Sequence, residues 1–325
     1  MLGEFIAILA VLTFVGSNVI FRQTEHEVSP VFINFFRTTV GTITYIVIIL
    51  IINQFNLIFI IPGGLWLLLI SSFFCGQVIG DTAYFVAQKE LGTTIALAVS
   101  MTFPLFTFIL SLIFLGRAFN LNLILALILI SIGITIIGKS KINSENTNLL
   151  EPSLSEKNLK DRRDTLSRGD VIKAIGFCLI ASLGWAVGAV LIEFATAQID
   201  LIIQINELTS LIGNAIRFPF ATLILGSMVL RESYLKKSSN NHHGDKKSVR
   251  TWMLLLVASI IGTSLGAYLY TEAVHLAGAN IMALVASASP LFALPITYLV
   301  NKEKISKFGF IGVVLTIIGV TIVLI

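Results

Sequence analysis

Five ionisable residues lie inside long apolar runs of this sequence: Arg37, Asp81, Arg217, Glu272 and His275. A charged group in hydrocarbon costs about 2.5–3.5 kcal/mol even on the most lenient scale, so it persists where it faces a cavity or a partner. Arg217 is the furthest from rescue. It lies roughly 20 Å of helix from Arg231, too far for its side chain to reach the interface. Asn206, Ser210, Asn214 and Arg217 recur at helical spacing and form a polar stripe. The chemistry of such a stripe is recognition, with Arg217 holding an anionic or carboxylate group. The alternative is a structural pairing of Arg217 with a Glu. Arg37 lies only about six residues into its run, within reach of the interface. It is the weaker candidate for substrate contact.

The carboxylates suggest a different chemistry. Gln77, Asp81, Tyr84 and Gln88 fall on one helical face, and Tyr268, Thr271, Glu272 and His275 cluster on another. A carboxylate removed from water suits proton exchange at neutral pH, and a His titrates there anyway. Asp81, Glu272 and His275 are therefore candidates for proton coupling, and Tyr84 and Tyr268 for substrate contact. The competing expectation pairs Asp81 with an Arg and leaves Glu272 and His275 among lipid headgroups. Glu193 and Glu207 fall near the ends of apolar runs and read as surface residues. Asn18, beside Gly16 and Ser17, is either helix–helix glue or a substrate contact. Pro104 and Pro290 fall within apolar runs at matched positions and are candidate hinges. Thr94 and Asn280 read as helix N-caps.

These residues need helices to position them. Of 325 residues, 56% are hydrophobic and 12% charged, with a mean hydropathy of +0.92. A soluble domain carries about twice that share of charge. This composition excludes a soluble enzyme, a secreted disulfide scaffold and a disordered chain. Cys75 and Cys178 both fall in apolar runs and offer no metal spacing. Ten hydrophobic stretches run approximately 3–21, 31–52, 65–87, 93–115, 121–138, 171–194, 201–230, 252–275, 280–300 and 308–325. Each has helical length. The alternating ten-residue segments of a transmembrane barrel are absent. The expected fold is all-α, a polytopic bundle. The first stretch, lacking a basic leader and a cleavage site, reads as a retained span.

Two polar segments interrupt the pattern, Lys139–Asp170 and Arg231–Arg250. They hold roughly half of all charges in about a sixth of the chain. His242-His243, with no Cys or acidic cluster beside it, is no metal set, and no metal or cofactor is expected.

The strongest signal is self-similarity. At a shift of 186, Trp66 meets Trp252, Gly76 meets Gly262, Gly80 meets Gly266, Tyr84 meets Tyr270, and Pro104-Leu105-Phe106 meets Pro290-Leu291-Phe292. About eighteen of roughly 74 positions are identical. Asn34-Phe35-Phe36-Arg37 resembles Asn214-Ala215-Ile216-Arg217 at a shift of 180, and Phe14 meets Trp185 near 171. Asp81 aligns with Ala267 and Glu272 with Val86, so neither carboxylate has a mate. The chain divides into a first repeat, 1–138, a polar linker, 139–170, and a second repeat, 171–325. Five spans per copy force the second copy into the membrane from the opposite side. The copies are then inverted repeats, a plan of secondary transporters whose substrate site lies between them.

On several short motifs the chain resembles the ten-span drug/metabolite transporter superfamily, in its EamA branch. The motifs are Gly16-Ser17-Asn18, Arg37, Gly184-Trp185-Ala186, Pro104-Leu105-Phe106 before Leu115-Gly116, and Pro290-Leu291-Phe292 before Lys302-Glu303. The resemblance covers both halves. It implies a carrier of small metabolites, often an exporter of amino acids or related compounds, working by alternating access. The chain departs in having Gly116-Arg117 where the family often has Gly-Glu, and in lacking Lys or Arg over Asn53–Gly64.

About nineteen of the 22 Lys and Arg fall on the side of the linker. The positive-inside rule then puts the linker in the cytoplasm and the termini outside, whereas the resemblance implies cytoplasmic termini. Lacking a Walker A loop, a His-Glu-x-x-His and a Gly-x-Ser-x-Gly, the chain reads as a non-enzymatic secondary transporter in the cell membrane. The runner-up is an intramembrane or lipid-modifying enzyme. The expected partners are a small amino-acid-like or other organic solute and the bilayer, not nucleic acid. The chain is expected to be a monomer or homodimer.

Overall fold

A computed structural model describes residues 2–24, 27–91, 96, 99–116, 168–238 and 248–289, with scattered positions over 121–136 and 292–322. Among the described residues every regular element is helical. Helix α1 is Leu2–Arg22 and α2 is Pro30–Ile51. A short helix, α3, Leu57–Ile60, precedes α4, Gly63–Phe73. A π-helical segment, Phe74–Asp81, joins α4 to α5, Thr82–Leu91. Then come α6, Phe103–Phe114, α7, Arg168–Ile203, and α8, Asn206–Ser238. Helix α9, Val249–Ser259, runs through a second π-helical segment, Ile260–Leu265, into α10, Gly266–Ala277. Helix α11 is Ala279–Ser287. Six continuous helices are long and apolar enough to cross a bilayer: 2–22, 30–51, 63–90, 172–203, 208–235 and 249–277. Their outward faces carry exposed Ile51, Leu67, Leu223 and Met253, which suits lipid. Their inward faces bury Asn34, Arg37, Asp81, Asn214, Arg217 and Thr271.

Several expected boundaries move. The seventh helix begins at Asn206, because residues 201–203 complete α7 and Gln204 turns the chain with φ +52°. Helix α8 continues to Ser238, so the polar stretch from Arg231 is partly helical. Asn280 does not cap α11. The helix opens at Ala279 after Gly278, and the Glu193 carboxylate accepts from the Ala279 N–H at 2.8 Å. Glu193 is thus a half-buried helix cap rather than a surface residue. Pro104 is not in mid-helix. A turn at Met101–Thr102 precedes it, and it sits in the first turn of α6, where its missing N–H has no partner to lose. Among the described residues the proline inside a helix is Pro219 of α8. Thr94 and Pro290 lie outside the described residues.

The halves pack crosswise. Helix α1 lies along α9, the second π segment and α10, while α7 lies along α4, the first π segment and α5. Helices α2 and α8 pack on each other. There Thr42 and Thr222, mates at the 180 shift, share a hydrogen bond of 2.6 Å. At one end, the α1–α2 connection is tied to the second half. Ser29 donates to Glu232 at 2.8 Å. Glu27 accepts from the Thr251 hydroxyl at 2.6 Å and the Ser248 N–H at 3.0 Å, and these bonds hold its carboxyl below the usual range.

Glycine makes the crosswise packing close. A Cβ on Gly184 would lie 2.5 Å from the Cys75 carbonyl oxygen, and one on Gly188 2.9 Å from that of Ser72. Backbone cannot swing aside as a side chain can. Gly184→Ala is expected to cost about 1–3 kcal/mol and to lower the melting temperature in detergent. Gly176→Ala, on the same helix but with open space around it, is expected to leave melting unchanged or slightly raised. Equal melting of the two variants would contradict the packing.

Candidate functional site

Two arginine clamps carry the site. In α2 and α8 the sequence Asn-x-x-Arg places the amide one turn before the guanidinium. Arg37 Nε donates to Asn34 Oδ1 at 3.1 Å, and Arg217 Nε donates to Asn214 Oδ1 at 2.9 Å. Each Asn is itself anchored. Asn34 Nδ2 donates to the Gln77 carbonyl at 2.8 Å, and Asn214 Nδ2 to the Ala267 carbonyl at 3.4 Å. Each guanidinium lies near a ring, Arg37 5.2 Å from Phe85 and Arg217 4.9 Å from Phe73.

The clamps then diverge. Arg37 is 4% exposed and forms an ion pair through Nη2 with Asp81 Oδ2. Asp81 Oδ1 accepts from Trp185 Nε1 at 2.8 Å. Arg217 is 2% exposed, and its Nη2 donates to a neutral group, Thr271 Oγ1, at 2.7 Å. Among the described residues no carboxylate pairs with Arg217. Asp81 supplies the counter-charge in the first half; in the second, the residue that meets the guanidinium is the neutral Thr271.

Both arginines open onto one cavity of about 140 Å³, lined from both halves. Its charged walls are Arg37, Asp81 and Arg217, one net positive charge. Phe14, Phe73, Phe103, Trp185 and Tyr270 supply aromatic surface. The two π-helical segments border it through Gly76, Gln77 and Asp81 on one side and Gly262 and Thr263 on the other. They start at mates, Phe74 and Ile260. A π turn carries an extra residue, so it re-aims the side chains of the next helical turn, and such turns recur at functional sites.

That re-aiming separates the expected faces. Gln77 and Asp81 line the cavity, but Tyr84 is buried beside it, with its ring 5.5 Å from Trp185. Its mate Tyr270 lines the cavity instead, while Tyr268 packs against the cluster around Phe218. Arg37 does not reach for the interface, because the Asp81 carboxylate is closer than water. Ser210 and Asn214 are fully buried behind the wall, and the Asn206 side chain lies outside what is described. Asn18 is buried outside the lining, and its neighbour Ser17 meets Gly262. A Cβ on Gly16 would touch nothing. Glu272 and His275 also lie away from the lining. His275 Nε2 is 3.8 Å from Asp200 Oδ1 near the far end of α10. Helical spacing alone misses Thr263 and Tyr270 as wall residues, although each is the mate of a residue it singles out, Gln77 and Tyr84.

A bundle of apolar helices around a largely apolar cavity with charged side chains in its wall suits a membrane transporter. Residues 1–139 and 172–325 match the EamA-like transporter family, and the chain belongs to that family. It is 23% identical over 326 residues to an uncharacterized transporter of Archaeoglobus fulgidus, covering 100% of this chain and 98% of that protein. A solved crystal structure shares the fold with a TM-score of 0.71 at 12% identity, covering 98% of this chain and 95% of that one.

Cutting one side of a buried ion pair strands the other charge, at about 3–5 kcal/mol, whereas replacing both is near neutral. Asp81→Leu is expected to melt well below the parent in detergent. The double variant Arg37→Met with Asp81→Leu is expected to regain most of that loss. A double variant no more stable than the single one would show that the pair is not what holds this region.

Proposed function

We propose that the chain is a secondary transporter moving a small anionic organic solute by alternating access between two inverted five-helix repeats, 1–138 and 171–325, joined by the linker 139–170. One observation carries this reading. Arg217 is a buried guanidinium without a counter-charge among the described residues, and it faces a cavity walled by both halves. A stranded cation is costly, and an anion arriving from water removes that cost. Rocking of the halves about the Thr42–Thr222 contact would expose the cavity to each side in turn. The paired π turns and Pro219 are the weak points at which the helices around the cavity bend. The first-turn position of Pro104 makes it a fixed corner in this scheme, and Pro290 keeps the hinge role read from its sequence position.

We assign proton coupling to Asp81 over Glu272 and His275, because Asp81 alone of the three lines the cavity. The lopsided Lys and Arg distribution supports a cytoplasmic linker and outward termini; residence in the cell membrane, with export as the direction, follows the family resemblance.

The test is Arg217→Ala. A thermal-shift screen of amino acids, 2-oxo acids, nucleotides and sugar phosphates identifies the stabilising solutes, and proteoliposome flux of those solutes is then compared between variant and parent. Flux is expected to fall at least about tenfold, as the loss of a charge-assisted contact implies, in protein that still melts cooperatively. Normal flux in the variant would remove Arg217 from the path.

A further inference from the structure

Resting on the carrier reading, we infer that the cavity selects monocarboxylates with an apolar or aromatic body and no ammonium group, such as aromatic 2-oxo acids, and discriminates against zwitterionic amino acids. An α-amino acid needs two opposite charges in its site. Here the anion-binding half is present and the ammonium-binding half is spent. Among the described residues Asp81 is the sole carboxylate in the lining, and both of its oxygens are engaged, Oδ2 by Arg37 and Oδ1 by Trp185 at 2.8 Å. A substrate ammonium would therefore enter a cavity that is already net positive and meet only neutral acceptors. A bare carboxylate has no such conflict. The Nη1 of Arg217 donates to no described residue, so it has donors to spare for one.

A second observation points to the same ligand. Thr263 lines the cavity, is 2% exposed, and its hydroxyl has no hydrogen-bond partner among the described residues. A buried hydroxyl left unsatisfied calls for an occupant with a polar atom. A carboxylate or 2-oxo oxygen answers both Thr263 and Arg217. The remaining wall is apolar and aromatic around a cavity of about 140 Å³, which suits a compact apolar or aromatic body. Large or multiply charged solutes such as nucleotides do not match it.

The experiment measures binding of phenylpyruvate, 3-phenylpropionate, L-phenylalanine and phenethylamine to the purified full-length protein in detergent by calorimetry. Flux of the same probes is followed in proteoliposomes. Both carboxylates are expected to bind at least about tenfold more tightly than L-phenylalanine, and the amine more weakly still, as an uncompensated buried ammonium requires. Arg217→Ala is expected to abolish carboxylate binding. Thr263→Val, which keeps shape but not the hydroxyl, is expected to weaken phenylpyruvate about five- to tenfold, the cost of one hydrogen bond. L-Phenylalanine binding as tightly as phenylpyruvate would overturn the inference. So would carboxylate binding that survives Arg217→Ala, or no binding by any carboxylate probe. Arg217-dependent flux of L-phenylalanine overturns the inference and leaves the carrier reading intact. Selective binding of the carboxylates without flux of any probe sinks the carrier reading and leaves the selectivity standing.

Discussion

The Arg37–Asp81 ion pair, and the absence of its counterpart, is the interaction on which the site depends. The duplicated sequence sets two Asn-anchored arginines at the centre of one bundle, where neither reaches water. The first is neutralised by Asp81, which Trp185 of the second half also holds. The second meets the neutral Thr271 where the first meets Asp81. Duplication alone would give a site with two neutral clamps. A single aspartate lacking a mate converts it into a site with one charge to spare, and the polarity of the cavity stems from that difference.

The surrounding structure keeps that charge out of lipid yet within reach of a solute. Each half contributes the first helix that covers the other half's third span, and glycines at 184 and 188 bring those backbones nearly into contact. Such close approach seals the cavity sideways against lipid without bulky side chains. The π turns do the complementary work. They widen the helix where Gly76, Gln77, Gly262 and Thr263 face the cavity, and they free backbone that an unbroken α-helix would tie down.

Much of this is legible in the sequence. Composition identifies the solvent, and the matched Trp, Gly and Pro reveal the repeat. Helical spacing singles out Asn214 with Arg217, and the misalignment of Asp81 with Ala267 already holds the asymmetry. What escapes is local geometry. Helical-wheel reasoning puts Asp81 and Tyr84 on one face, yet Asp81 lines the cavity, Tyr84 is buried beside it, and its mate Tyr270 stands at the wall. Distance to the interface makes Arg37 a candidate for snorkelling, yet a buried carboxylate outcompetes water, and that partner comes from another helix. Pro in an apolar run fits a kink and a first turn equally well, so spacing alone does not place Pro104. Pro219, two residues from Arg217, has no mate in the repeat and so draws no attention from the alignment of the halves.

The most direct measurement restores the missing counter-charge. Thr271→Asp places a carboxylate on the residue that Arg217 Nη2 contacts, where Asp81 stands for Arg37. The affinity of the purified variant for phenylpyruvate, compared with the parent by calorimetry, reads whether the spare charge of Arg217 is what binds anions. The account predicts that binding falls at least about tenfold while thermal stability holds or rises as the stranded guanidinium gains a partner. Unchanged affinity in a folded Thr271→Asp variant would contradict it.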